Sequence, residues 1–201
     1  MSLPLLEAPR QRTWDELSEA ARGCTACAEL AETRTQVVPG EAPPGAELLL
    51  VGEAPGAQED ESGRPFVGKA GQLLTALLGE AGIARESVAV ANVLKCRPPK
   101  NRKPRRAEVG NCRPWLARQI ELVDPLLVVT LGGTAAEWVV GPGARIASLR
   151  QADVEYAGRR VLCTYHPSAA VRFGPAGEPM AALRADLARA AACLDELRRP
   201  A

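Results

Sequence analysis

Apolar residues in this chain fall into short continuous runs, separated by stretches in which they recur every three or four positions. Four of the runs have the length of buried strands: 47–51, 88–93, 126–131 and 161–165. Between and after them, the wider spacing predicts helices at 72–78, 115–123, 134–138 and 180–198, with Thr134 as a helix-capping residue. The chain therefore alternates strand and helix.

This alternation predicts the fold class. Strands joined by helical segments form right-handed crossovers, which place the strands in a parallel sheet with helices on both faces. We expect an α/β fold of three αβα layers around a central four-stranded parallel sheet. A chain of 201 residues with 46% apolar content suits one domain. That single domain is expected to span 1–201, with a motif-bearing core at about 24–172 and the closing helix at about 180–198.

Charge is distributed unevenly, although the formal net charge is only +1. Between 95 and 118 there are nine basic residues against one acid, Glu108. The Pro- and Arg-rich part of that stretch, 97–106, is predicted to be an exposed loop. A basic run is usually a solvated surface, but it is also the electrostatic feature that a polyanion-binding protein needs.

Nothing in the sequence predicts a membrane association. No apolar run reaches the ~18 to 20 residues of a membrane span, and residues 1–14 lack the apolar core of a signal peptide. Six cysteines in such a chain favour the reducing cytoplasm, where cysteines are more often metal ligands or buried thiols than disulfides.

Four cysteines form the most informative pattern in the chain. Cys24 and Cys27 are a close pair, whereas Cys96 and Cys112 are single and have fifteen residues between them. Zinc ribbons usually bring two close pairs together, so this spacing matches them poorly. Four thiolates separated by a long loop suit an iron–sulfur cluster. The alternative is that all four are buried apolar thiols, which is our interpretation of the two remaining cysteines, Cys163 and Cys193.

Polar and glycine residues follow three of the predicted strands. The turn 52–56 reads Gly-Glu-Ala-Pro-Gly after the first strand, Asn92 ends the second, and His166 follows the fourth. In an open parallel sheet the ligand crevice lies beyond the carboxyl ends of the strands, so these residues are expected to converge. The N–H groups of the turn could receive an anionic oxygen, although a purely structural turn is equally consistent with its sequence. His166 is the only histidine, and its place at a strand end favours a functional role.

Three ordered motifs resemble those of a known family. The first motif combines Gly-Glu-Ala-Pro-Gly at 52–56, Glu-Asp at 59–60, Gly-Arg-Pro-Phe-Val-Gly at 63–68 and Ala-Gly at 70–71. The second is Asn-Val-Leu-Lys-Cys-Arg-Pro-Pro at 92–99, and the third is His-Pro-Ser at 166–168. These motifs resemble the uracil-DNA glycosylase superfamily. The cysteine spacing resembles its iron–sulfur branch, the family 4 enzymes. The resemblance covers about 24–172, most of the chain.

The resemblance implies an enzyme of DNA repair. Such an enzyme flips uracil out of DNA and hydrolyses its N-glycosidic bond, releasing free uracil and leaving an abasic site. Phe66 would stack on the flipped base, and Asn92 would read its edge by accepting from N3–H and donating to O4, with Gly52 and Ala54 also in the uracil site. His166 would donate to O2, where negative charge develops as the bond breaks.

The two acidic positions are less clearly divided between roles. Glu53 is expected to orient the attacking water or to stabilise the cationic sugar. Glu59 is expected to block the space beside C5 of the base and so to exclude the methyl group of thymine. The alternative role for Glu59 is to orient the attacking water. Some relatives carry Asp or Asn in the first motif where this chain has Glu53 and Ala54.

DNA contacts and the cofactor follow from the same resemblance. The loop after His166 would insert Val171 into the base stack and place Arg172 on a phosphate. Phosphate contacts are expected from four residues of the basic stretch: Lys100, Arg102, Lys103 and Arg105. A [4Fe-4S] cluster would be held by Cys24, Cys27, Cys96 and Cys112, in a structural role, with electron transfer as the alternative.

Two other functions are possible from the sequence. A non-catalytic iron–sulfur module that binds nucleic acid would keep the cysteines and basic stretch but need neither Asn92 nor His166. A relative that captures uracil without turnover, through an added histidine loop, is disfavoured because no histidine lies between Leu149 and Arg160. We expect a cytoplasmic, prokaryotic monomer that associates with the nucleoid through its activity on single- or double-stranded DNA.

Overall fold

The computed structural model describes residues 10–143 and 145–199, so both ends of the predicted domain lie outside the described residues. The described helices are α1 (Trp14–Arg22), α2 (Ala28–Thr33), α3 (Ala57–Ser62), α4 (Lys69–Glu80), α5 (Arg106–Val123), α6 (Gly133–Val140), α7 (Ile146–Leu149), α8 (Pro167–Phe173) and α9 (Glu178–Leu197). The strands are β1 (Leu48–Gly52), β2 (Ala89–Asn92), β3 (Leu127–Leu131), β4 (Val154–Tyr156) and β5 (Arg159–Thr164). Short 3₁₀ turns occupy Arg85–Ser87 and Pro99–Asn101.

The strands form one sheet in the order β2-β1-β3-β5-β4. The four strands predicted from the sequence are its parallel members, but the prediction of a four-stranded, wholly parallel sheet was wrong. β4 adds a fifth strand, antiparallel to β5 at the edge. The two are joined by Ala157 and Gly158, which both have positive φ, as a tight two-residue hairpin requires. With only three residues, β4 is too short to show an alternating pattern.

Helices cover both faces of the sheet, as predicted. Successive residues of a strand point to opposite faces. Leu48 and Leu50 of β1 therefore join a core with α4, α8 and α9, whereas Leu49 and Val51 join a second core with α5 and α6. A third, smaller cluster around Leu30 and Leu94 lies under the cysteine-bearing segments. None of the described helices combines the length and apolar character needed to cross a membrane.

The order of the strands creates a crevice at one place on the sheet edge. From β1 the chain passes to its neighbour β2 and then returns to β3 on the opposite side of β1. The connections that leave β1 and β3 therefore run to different sides, which opens a crevice beyond their carboxyl ends. Gly52 ends β1 and Leu131 ends β3, so the residues that follow these two positions face the crevice.

Two local predictions were wrong. The segment after His166 is not a loop but helix α8, because Pro167 supplies a preset φ at its first position and the His166 side chain caps it. Thr134 does not cap α6. Gly132 is the cap residue, and Thr134 is the second residue of the helix, which leaves its hydroxyl free to bond elsewhere.

Candidate functional site

A pocket of about 320 Å³ lies at the crevice. The carboxyl ends of three parallel strands and the start of α8 contribute to it. Nine of its lining residues are Glu53, Ala54, Glu59, Phe66, Asn92, Leu131, Gly132, Gly133 and His166. All of the residues predicted for base binding and catalysis thus meet here except Gly52, which lies directly beneath Phe66 and Asn92.

Asn92 has an unmet hydrogen-bonding capacity in the pocket lining. Its side chain is buried, and none of the described residues supplies a hydrogen-bond partner to Oδ1. Buried polar atoms are nearly always paired, since leaving one unpaired costs on the order of 1–3 kcal/mol. An unpartnered oxygen in a pocket lining is open to a ligand, and the partner that would satisfy it is a hydrogen-bond donor.

The rings of Phe66 and His166 are stacked on each other in the pocket lining. Their ring centroids are 5.9 Å apart and the ring planes differ by 29°. Phe66 holds a positive φ of 54°, which is uncommon for a residue with a side chain. Gly71 permits this, because a Cβ there would overlap the backbone of Phe66. The half-buried ring of Phe66 thus lines the pocket while it also packs against the first core.

The hydrogen bonds of His166 define which ring nitrogen is available to a ligand. Nδ1 lies 3.1 Å from the backbone nitrogen of Ser168 and accepts its N–H. That assignment puts the proton of the neutral ring on Nε2. Burial lowers the pKa of His166 to about 4, although the charge of Glu59 opposes the shift. At neutral pH the ring is therefore an uncharged donor through Nε2.

The two carboxylates have different surroundings. Glu53 follows β1 at the pocket wall, and its Oε2 accepts a hydrogen bond from the Thr134 hydroxyl at 2.5 Å. Glu59 accepts from the backbone N–H of Gly56 at 3.1 Å and from that of Gly68 at 2.8 Å. Both oxygens of Glu59 are thus engaged in holding the first-motif turn against the start of α4. For Glu53, the contacts among the described residues involve Oε2 alone.

The four predicted cysteine ligands line one separate cavity. Cys24 and Cys27 come from the α1–α2 connection, Cys96 follows β2, and Cys112 lies in α5. Among the described residues, no three or more His, Cys, Asp or Glu side chains are placed to hold a single metal ion. The four cysteines instead share the lining of this one cavity. This cysteine cage, meaning these four residues, has no carboxylate in its lining.

Side-chain nitrogen donors contact two of the cage sulfurs. Arg34 donates to Cys96 Sγ at 3.1 Å and to the carbonyl of Cys24 at 2.8 Å. Asn111 contacts Cys27 Sγ at 3.6 Å. Burial raises the pKa of Cys112 to about 12, which the positive charge of Lys95 opposes. A bound cation would be needed to keep such thiols deprotonated.

An ion-pair network joins the segments that carry the cage. Arg102 donates to both oxygens of Glu108, at 3.0 and 2.6 Å, and to Glu29 at 3.0 Å. Arg105 also contacts Glu29. Glu29 lies just after Cys27 and Glu108 just before Cys112, so Arg102 ties the loop after Cys96 to both neighbouring segments.

Lys95 connects the cage to the pocket. Its side chain is buried, and its ammonium donates to the backbone carbonyl of Asn92 at 2.5 Å. Burial lowers the pKa of Lys95 to about 8, opposed by the neighbouring Cys112 and Cys96. One cation therefore touches the residue that ends β2 while it lies beside two of the cage sulfurs.

The other predicted DNA contacts lie on the surface. Lys100 and Lys103 are exposed on the loop between the cage and the pocket, and Pro98, Asn101 and Arg102 of that loop form part of the pocket lining. On α8, Val171 is 44% exposed and Arg172 is also exposed. The structure therefore leaves these four side chains accessible, unlike Arg102.

Several residues of the site were missed by the sequence analysis. Gly132, Gly133 and Thr134 follow β3, and the rule that placed Asn92 and His166 at strand ends applies equally there. That signal was present in the sequence. Arg34 had no comparable signal, because a single arginine in a loop does not predict which buried sulfur it will contact.

Similarity to known proteins agrees with this architecture. The sequence profile of the uracil DNA glycosylase superfamily matches residues 39–188. The chain belongs to the uracil-DNA glycosylase superfamily. A type-4 uracil-DNA glycosylase from Thermotoga maritima is 44% identical over 165 residues, which cover 81% of this chain and 85% of that protein.

Further relatives distinguish between the branches of the superfamily. A type-4 uracil-DNA glycosylase from Pyrobaculum aerophilum is 44% identical over 166 residues, or 78% of this chain and 84% of that protein. A type-5 uracil-DNA glycosylase from the same organism is 33% identical over 200 residues, or 84% of this chain and 88% of that protein. The resemblance to the type-4 branch, predicted from the cysteine spacing, is confirmed.

Proposed function

We propose that the protein excises uracil from DNA by hydrolysing its N-glycosidic bond, releasing the free base and leaving an abasic site. The observation that carries this proposal is the orphaned amide oxygen of Asn92, buried in a pocket that it shares with an aromatic ring and a neutral histidine. The superfamily membership supports the same reaction class.

Base recognition would depend on Asn92 and Phe66. A flipped uracil presents N3–H, which matches the unpartnered Oδ1, and O4, which can accept from the amide nitrogen of Asn92. Cytosine presents the opposite pattern and would leave buried groups unpaired, at a cost on the order of 1–3 kcal/mol each. Stacking on Phe66 adds about 1–3 kcal/mol without regard to base identity. Gly52 contributes to the site by leaving room for Asn92 and Phe66, and Ala54 lines the pocket beside them.

His166 would act on the leaving group. As the C1′–N1 bond breaks, its electron pair moves onto uracil and negative charge develops on O2. The Nε2–H of the neutral ring can donate to that oxygen, and a preorganised donor of this kind contributes about 2.7–4 kcal/mol. The oxygen of a water forms the new bond to C1′, and one of its protons ends on uracil.

Glu53 and Glu59 are assigned different roles in this proposal. Glu53 has an oxygen free to orient the water or to stabilise the positive charge on the sugar. Glu59 faces the same pocket, but both its oxygens already accept backbone N–H groups. We therefore favour a positioning role for Glu59, which fixes the pocket wall on the C5 side of the base, over service to the water.

DNA would be held by exposed cations around the pocket. Lys100, Lys103 and Arg172 are the proposed phosphate contacts, and Val171 is the proposed wedge in the base stack, now on a helix rather than a loop. Arg105 is exposed enough to join them, but it already pairs with Glu29. Arg102 contributes less than predicted, because Glu108 and Glu29 neutralise it. We further propose that the protein acts as a monomer in the prokaryotic cytoplasm.

A [4Fe-4S] cluster is the proposed cofactor. The fit rests on the donor set: four sulfurs around one cavity, N–H donors from Arg34 and Asn111, and no carboxylate in the lining. When bound, the cluster supplies four iron–thiolate bonds that hold three chain segments together. The residues of those segments then keep the pocket wall in place, which is a structural role.

The enzymatic proposal is tested by incubating the protein with uracil-containing DNA and measuring free uracil and abasic sites. Release of uracil, and none of cytosine or thymine from matched duplexes, is expected. Asn92→Ala should reduce the rate strongly, and Asn92→Asp should weaken excision of uracil and admit cytosine. DNA binding without any release would instead identify a non-catalytic nucleic-acid-binding module.

The cofactor proposal has a separate test. We expect about four irons and four labile sulfides per chain and a brown protein. Cys112→Ala should lose iron and colour, whereas Cys163→Ala, which removes a buried thiol of the second core that is not part of the cage, should keep both. A colourless, metal-free wild-type protein that binds DNA fully would contradict the proposal.

A further inference from the structure

The segment that follows β3 contacts both proposed chemical groups of the pocket. Gly132 has a φ of +90°, and a Cβ there would lie 2.9 Å from the Cβ of His166. Two residues later, the Thr134 hydroxyl meets Glu53. The backbone of Gly132 is itself fixed, because its N–H donates to the carbonyl of Thr164 at 2.8 Å. This segment therefore determines the spacing between Glu53 and His166.

We propose that Thr134 is a positioning residue for Glu53. A carboxylate only accepts hydrogen bonds, so the Thr134 hydroxyl must be the donor in their contact. Thr134 is 7% exposed and sits in the first turn of α6, a rigid element, which leaves its hydroxyl little freedom. It holds Glu53 Oε2 and thereby leaves Oε1 as the oxygen that faces substrate or water. The inference rests on the proposed function and names a residue outside all three sequence motifs.

The chemistry at this contact explains why a threonine suits the position. A hydrogen bond to a charged acceptor contributes more stabilising free energy than a hydrogen bond to a neutral acceptor. Without it, the half-buried Glu53 side chain could rotate away from the reacting centre. A displacement of about 1 Å at a catalytic group can cost about 10²-fold in rate. Substrate binding depends on other groups, so it should be spared.

Three substitutions separate the hydroxyl from its surroundings. Thr134→Val keeps the side-chain shape but removes the hydroxyl donor, and Thr134→Ala removes the shape and the donor. Thr134→Ser keeps the hydroxyl donor and loses only the methyl group. Single-turnover uracil release should fall by about tenfold to 100-fold in the first two and by less than about threefold in the third. KM and the DNA dissociation constant should change by less than about twofold in all three.

A double-mutant cycle tests whether Thr134 acts through Glu53. If it does, Thr134→Val combined with Glu53→Ala should be no slower than Glu53→Ala alone. Additive losses, equal losses for Ser and Val, or an unchanged rate in Thr134→Val and Thr134→Ala would each overturn the inference. Unfolding midpoints are measured for every variant, and Thr134→Ala carries the comparison if the Val variant does not fold.

The wild-type assay distinguishes this inference from the function on which it rests. No uracil release by the wild-type protein would overturn the proposed function and the inference together. Normal release by the wild type with no loss in the Val and Ala variants would overturn the inference alone.

Discussion

Gly52 and Asn92 are paired across β1 and β2, and the Asn92 side chain occupies the space that a Cβ on Gly52 would need. Such a Cβ would lie 2.5 Å from Phe66 Cζ and closer still to Asn92 Oδ1. The glycine that ends β1 therefore allows Asn92 and Phe66, the two proposed base-binding side chains, to lie side by side. This glycine is needed for space and not for an unusual backbone angle.

Gly52→Ala should damage the pocket while leaving the fold intact. Because Asn92 and Phe66 would both have to shift, we expect single-turnover uracil release to fall by about 10²-fold. The control is Gly79→Ala on α4, where an added Cβ meets nothing within 4 Å. That variant should keep its rate and gain stability of about 0.5–1 kcal/mol. Equal rates for the two variants would contradict the pocket assignment.

Substitution by alanine is expected to affect DNA binding at Lys100 but protein stability at Arg102, although both residues belong to the basic loop. Lys100→Ala should weaken DNA binding, reduce the slope of log K against log salt by about one, and leave stability unchanged. Arg102→Ala should lower the unfolding midpoint and the retained iron, because Glu108 loses its partner beside Cys112, with little change in the salt slope.

Binding titrations at several salt concentrations, combined with unfolding midpoints and iron determination, distinguish the DNA contact of Lys100 from the structural ion pairs of Arg102. A full loss of one salt-slope unit in Arg102→Ala, with unchanged stability, would show that Arg102 is a phosphate contact after all.

His166 should make the protein less stable in mild acid. Its pKa is about 4 in the folded protein against an ordinary value of 6.5, because burial disfavours the charged ring. Between these values the unfolded chain binds the proton and the folded protein does not. The contribution of the neutral ring is therefore complete above pH 6.5 and is lost as the pH falls towards 4.

The measurement is the unfolding midpoint of the wild type relative to His166→Gln between pH 7 and pH 4.5. The difference should move against the wild type as the pH falls, since glutamine does not titrate. A constant difference would mean that His166 is not held neutral by its surroundings.

Much of this architecture could be predicted from the sequence because its signals are local. The four apolar runs are buried on both faces in the sheet, and the pocket residues follow strand ends, where the topology of parallel sheets brings them together. β4 gave no such signal, since three residues at an edge have no period. Arg102 was assigned to DNA because its charge is visible in the sequence. Its partner Glu29 is distant in the chain, and its partner Glu108 was counted only as the single acid of a basic stretch. Which hydroxyl meets Glu53 was equally a matter of tertiary contact.

The central claim is that a neutral His166 stabilises the departing uracil, and His166→Ala tests it most directly. A donor to O2 matters chiefly in the transition state, so its loss should lower the chemical rate more than DNA affinity. We predict that single-turnover uracil release falls by about 10²–10³-fold, while the dissociation constant for uracil-containing DNA at fixed salt changes little, because phosphate contacts supply most of the affinity. Equal losses in rate and affinity, or an unchanged rate, would contradict the account.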